Sequence, residues 1–171
     1  MISLQITSMK QFMAQLLASD TFDIFLLEEA VIGTGCTFTI DGHVNHAFYT
    51  ENRAAAETDG SSDSEYDLRP WSEMKKICFD LIKGKRTPLF FRFVLHLKPE
   101  KAAALLRKEN CEVDPSGVKA LALNIRYDGN RAMLTTATAF HTFLLTKEPD
   151  LIWDRALMQY LDAKGISYEQ L

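Results

Sequence analysis

The segment VKALALNIRYDGNRAMLTTATAF, residues 118–140, decides the fold class. Its first half alternates: Leu121, Leu123, Ile125 and Tyr127 point one way, Ala120, Ala122, Asn124 and Arg126 the other. That is the two-residue period of a strand. Asp128-Gly129 is a dipeptide that reverses the chain between strands. A two-residue turn there sets Arg126 opposite Arg131, an unfavourable like-charge pair. The returning stretch brings Arg131, Met133, Thr135, Ala137, Ala139 and His141 to the face of Ala122 and Asn124. The result is an antiparallel hairpin.

Outward from the hairpin, TPLFFRFVLHLKP (87–99) alternates in the same way, with Leu89, Phe91, Phe93, Leu95 and Leu97 on one face. PEKAAALLRKEN (99–110) opens with a proline and reads as a short helix. EPDLIWDRALMQYLDAKG (148–165) places Trp153, Ala156, Leu157, Tyr160 and Leu161 on one helical face and stops at Gly165.

The first half of the chain gives similar signals. ISLQI (2–6) alternates, and SMKQFMAQLLAS (8–19) carries apolar residues at helical spacing behind a Ser8/Gln11 capping box. An extended stretch, roughly Phe25–Ile40, leads to a tight turn expected at Asp41-Gly42, with a return strand to about Tyr49. RPWSEMKKICFDLIKG (69–84) is a helix lined by Trp71, Met74, Ile77, Cys78, Leu81 and Ile82.

The expected fold class is α+β: a largely antiparallel sheet, or two packed sheets, with four helices. The expected organisation is a single domain over 1–171. Halves 1–86 and 87–171 both read strand, helix, strand, Asp-Gly turn, strand, helix, and each closing helix holds one tryptophan and ends in Lys-Gly. A duplicated βαββα unit and a chance likeness of two α+β patterns are both open. Residues 51–67, with six acids around a Gly-Ser-Ser centre, read as a mobile, solvated loop.

Composition narrows the function classes. Apolar residues make up 47% and charged residues 25% of the 171, ordinary values for a globular protein. The net charge of −4 is uneven, with 8 Lys/Arg against 13 Asp/Glu in 1–86 and 11 against 10 in 87–171. Neither half has the basic excess of a duplex binder. No apolar run approaches the roughly 20 residues that span a bilayer, and the N-terminus shows no secretion signal. Cys36, Cys78 and Cys111 are odd in number and widely spaced, which suits a reducing cytoplasm better than a disulfide framework.

Several side chains bear on chemistry. His43 and His46 are three apart; on a strand such residues face opposite ways, so no metal site is expected. Cys78 sits on an apolar helix face, and Cys111 lies beside Glu109 and Glu112, whose charge raises a thiol pKa. No nucleophile elbow, phosphate loop, dinucleotide fingerprint or zinc-protease motif occurs. Neither a cofactor nor a catalytic residue is expected from the sequence. The cations of KGKRTP (83–88) complement a helix C-terminus.

The remaining constellation is the second face of the strands. Arg92, His96, Asn124, Arg126 and His141 share it with small residues. They fit a packing surface, a solvated face, or a mildly cationic ligand pocket.

The stretches TFTIDGHVNHAFYT (37–50) and WSEMKKICFDLIKGKRTPLFFRFVLHLKPE (71–100) are similar to a family of uncharacterised proteins, a domain of unknown function from gut-type anaerobic bacteria. The likeness covers most of the chain. It implies a bacterial, cytoplasmic, single-domain protein and transfers no activity. The tandem strand-helix-strand-hairpin order also resembles sliding clamps, with no clamp motif matching residue by residue.

Three functions are carried forward. The first is a non-catalytic protein-interaction module whose partner is a second copy, as a homodimer, or another protein. The second is a small-anion or phosphorylated-ligand binder, or a cryptic enzyme, centred on the Arg/His group. The third is a clamp-like nucleic-acid association, which the charge disfavours. No membrane contact is expected.

Overall fold

A computed structural model describes residues 1–51 and 65–171. Its elements are β1 (Ser3–Ile6), α1 (Met9–Ala18), β2 (Phe25–Gly33), β3 (Thr37–Asp41), α2 (His46–Glu51), β4 (Arg69–Pro70), α3 (Trp71–Ile82), β5 (Phe90–Leu97), α4 (Pro99–Lys108), β6 (Val118–Tyr127), β7 (Ala132–Phe140), α5 (Glu148–Ala163) and β8 (Tyr168–Gln170). The strands form one antiparallel sheet in the order β3-β2-β5-β6-β7-β1-β8, and β4 pairs with β2 off this path. The α+β expectation is met with a single large sheet rather than two.

Period-2 alternation explains why one face is a core. Phe91, Phe93 and Leu95 on β5, Leu121, Leu123 and Ile125 on β6, and Leu134 on β7 are fully or almost fully buried. Helices α1, α3 and α5 contribute Leu16, Trp71, Cys78 and Trp153 to the same cluster, and Leu105 of α4 packs against it half-buried. Burying each large apolar side chain contributes about 1.5–3 kcal/mol. The two tryptophans also satisfy their indole N–H groups. Trp71 Nε1 donates to Leu16 O at 3.0 Å, and Trp153 Nε1 to Ala122 O at 2.8 Å.

The β6–β7 hairpin forms with a longer turn than the dipeptide suggests. Tyr127 pairs with Ala132, so Arg126 faces Met133 and not Arg131. The Asp128 carboxylate accepts the backbone N–H groups of Asn130 (2.9 Å) and Arg131 (2.8 Å), which holds a four-residue loop around Gly129 at φ 97°. The register moves by two residues, and each side chain keeps its expected face.

The first hairpin departs further. Its turn is Thr34-Gly35-Cys36, with Gly33 paired to Thr37 and Thr34 N–H donating to Cys36 O at 2.9 Å. The extended stretch is therefore two strands, β2 and β3. Asp41-Gly42 is not a turn: Gly42 N–H donates to Glu28 O at 2.8 Å and keeps the chain on β2. His43 bridges Leu68, and residues 46–51 form helix α2 where a return strand was expected.

Smaller corrections follow from packing. Ile77 and Leu89, which the spacing puts on the apolar faces of their helix and strand, are 48% and 67% exposed. Ser8 makes no side-chain cap on α1; Gln11 Nε2 instead donates to Gly165 O at 3.1 Å beyond α5. The C-terminal strand β8 had no counterpart in the sequence reading. The two halves differ in element order and in pairing: α2 and β4 stand between β3 and α3 with no counterpart between β7 and α5, and β5 neighbours β6 whereas β1 lies between β7 and β8. Most of the acidic stretch, residues 52–64, lies outside the described residues.

Candidate functional site: the sheet face opposite the core

The sheet face opposite the core cluster carries the candidate residues of β5 and β6. Its middle is small and uncharged. Ala122 on β6 faces His96 on one side and Ala137 on the other, and Asn124 lies between Val94 and Thr135. Ala120 and Ala122 are nearly buried by their neighbours, and Val94, Asn124, Met133, Thr135 and Ala137 are half-buried. On the same face Phe90 lies opposite Gly33, whose missing side chain leaves room for the aromatic ring.

Four of the five candidate residues meet here. Arg92 and Arg126 are direct cross-strand partners, one row along from the Val94–Asn124 pair. Like charges so placed repel. A carboxylate that the alternation did not reveal offsets this, because Glu29 forms an ion pair with Arg92. Its neighbour Glu28 reaches His96, Oε2 to Nε2 at 2.6 Å. Both acids serve the patch because β2 has a bulge: pairing steps from Leu27↔Leu95 to Glu29↔Val94, leaving Glu28 as an extra residue. The sequence did hold a signal, two adjacent acids inside the apolar run FLLEEAVIG. His141 is not in this group. It lies beyond the end of β7, exposed, with its backbone N–H donating to Gly117 O at 3.1 Å.

The patch can hold an anion or an acidic side chain beside Arg126, the guanidinium without an ion-pair partner among the described residues. It contains no nucleophile. Burial pushes the Cys78 thiol up to about 12. Cys111 is also raised, by desolvation first and by the Glu148 carboxylate beside it. Both shifts lower the thiolate fraction.

The histidines of the first half sit on separate carboxylates. His43 Nδ1 lies 2.6 Å from Asp41 Oδ1, and His46 Nε2 lies 3.2 Å from Asp67 Oδ1. Among the described residues no group of three or more His, Cys, Asp or Glu is arranged to hold a metal ion. On the helix side a cleft of about 310 Å³ opens between α4 and α5, lined by Phe25, Leu97, Leu105, Trp153 and Tyr160, with Lys101 as its charged residue. No described helix is long and apolar enough to cross a membrane.

Fold and face together define an α+β domain whose large antiparallel sheet packs its helices against one face. The chain belongs to a family of unknown function (DUF5721), matched over residues 15–169. No curated protein and no solved structure matches it.

Proposed function

We propose that the chain is a cytoplasmic, non-catalytic interaction module that acts as a homodimer and presents the sheet face opposite its core to another protein. The observation that carries this reading is the composition of that face. A solvated sheet face is expected to be dense in charge, whereas this one is built on Ala120, Ala122, Ala137, Asn124, Thr135 and Val94. Small residues leave a flat surface on which a second protein can pack closely. The free cysteines, including the exposed Cys36, suit a reducing compartment. Charge argues against nucleic acid, since Glu28 and Glu29 accompany the cations of the patch.

Native mass spectrometry of the untagged protein tests this. A dimer is expected. A strict monomer at the highest attainable concentration, with no complex recovered from its source, overturns the reading.

The Arg92–Arg126 pair supports a second reading, a small anion held between two guanidiniums. Inorganic phosphate then raises the melting temperature of the wild type but not of Arg126→Ala. Equal responses from the two proteins remove this reading.

A further inference from the structure

We infer that the outer edge of β3 is the dimer interface, pairing with the same strand of a second copy. This rests on the homodimer reading and adds to it a surface and a register. β3 closes one end of the sheet, and among the described residues no strand pairs with its outer side. The other end is closed by β8, only three residues long. Natural proteins commonly block an exposed edge with Lys, Pro or a bulge. β3 reads TFTID and has none of these, and its one charged residue, Asp41, stands at the strand's end.

The hydrogen-bonding phase of β3 follows from its two ends. Gly42 N–H donates to Glu28 O, and Thr34 N–H to Cys36 O. Antiparallel pairs alternate between bonded and non-bonded. The residues bonded to β2 are therefore Cys36, Phe38, Ile40 and Gly42. The N–H and C=O groups of Thr37, Thr39 and Asp41 point outward, and all three residues are exposed.

A second copy satisfies these groups best in one register. With the twofold axis at Thr39, Thr39 faces Thr39 and Thr37 faces Asp41 of the second copy, so every outward residue enters a bonded pair. Phe38 then meets Ile40 of the second copy in the closer, non-bonded pairs, where side chains touch. Centring on Asp41 would oppose two carboxylates, and centring on Thr37 would engage only the strand end. The axis runs perpendicular to the sheet, so the faces opposite the two cores stay on the same side and join into one broad surface. The dimer thus leaves the proposed working face open.

Two variants at residue 39, with a control at residue 37, test the interface without touching the β2 ladder, because the backbone polar groups of both residues face away from it. In a Cys36→Ser background, Thr39→Cys is expected to form an intermolecular disulfide under mild oxidation. Paired Cα atoms in such a register lie about 5.5 Å apart, inside the range of roughly 4.4–6.8 Å for a disulfide. Thr37→Cys in the same background should stay uncrosslinked, since its copies are offset by about 13 Å along the strands. Thr39→Lys should keep the monomer folded and weaken the dimer by about tenfold or more. A wild-type dimer that survives Thr39→Lys and gives no Thr39→Cys crosslink overturns the interface and leaves the homodimer reading standing. A wild-type monomer overturns both.

Discussion

Two of the chain's three Asp-Gly dipeptides, Asp41-Gly42 and Asp128-Gly129, have aspartates 87 residues apart and do different work. Gly129 is a glycine because of its backbone: φ is 97°, a conformation that L side chains rarely adopt. Gly42 has no positive φ. It is a glycine because of its neighbour, since a Cβ there would lie 1.8 Å from the carbonyl oxygen of Leu27. One dipeptide turns a hairpin. The other lets the chain press against the bulge of β2 before it leaves the sheet for α2. The bulge also supplies Glu28 to His96, so this contact and the candidate patch share one local distortion.

The largest effect that can break this comparison is Gly42→Ala. The opposing atom is backbone and cannot rotate away, so the loss is expected to be about 3 kcal/mol, read by urea unfolding. A loss below 1 kcal/mol would mean that the close approach is not a feature of the folded chain. The signal of His96 should shift as well, because the clash falls on the bulge that holds Glu28.

Next in size is Gly129→Ala, expected to cost about 1–2 kcal/mol through backbone strain. Gly129→Asn should cost less, since Asn enters the left-handed region more readily. At Gly42 the same pair of substitutions should order the other way, because Asn is larger than Ala and the obstacle there is space. Matching orders at both sites would remove the distinction between the two glycines.

The difference also marks how far the sequence could be read. Face assignments needed only the two-residue period, so the shared face of Arg92, His96, Asn124 and Arg126 was legible. The actual neighbours of Arg126 were not, because register depends on turn length and Asp128 holds a four-residue loop. The buried rows of β5 and β6 and the long helices were legible from their apolar spacing. The first hairpin was misplaced because Asp-Gly is the stronger turn signal and Thr34-Gly35-Cys36 the weaker one, while the decisive event was Gly42 binding β2. Residues 43–44 then bond to 67–68, contacts that no local pattern announces. Glu28 and Glu29 escaped notice because a bulge breaks the alternation that assigns faces.

A smaller effect concerns the two aspartates. Asp128 is held below the usual carboxylate range by the backbone N–H groups of Arg131 and Asn130. A depressed folded-state pKa gives stability that is present above the unfolded value of about 3.9 and is lost as pH falls through the folded one. Asp128→Ala should therefore lower stability near neutral pH and flatten its decline in acid. Unchanged acid unfolding would show that the Asp128 loop is not fixed by its carboxylate.

The smallest and most selective effect is at Asp41. Its carboxyl is lowered first by the backbone N–H of His43 and then by the His43 ring. His43→Ala removes the ring and keeps the backbone N–H. Titration followed by carboxyl NMR should then show Asp41 moving up part of the way toward its ordinary value, with Asp128 unmoved. If Asp41 does not move, the ring contact at 2.6 Å contributes nothing in solution. If it returns fully, the backbone bond at 2.9 Å is absent and Asp41 does not brace the chain after β3. A partial shift confined to Asp41 is the outcome that keeps both contacts, and with them the separate role of this dipeptide at the end of the proposed dimer edge.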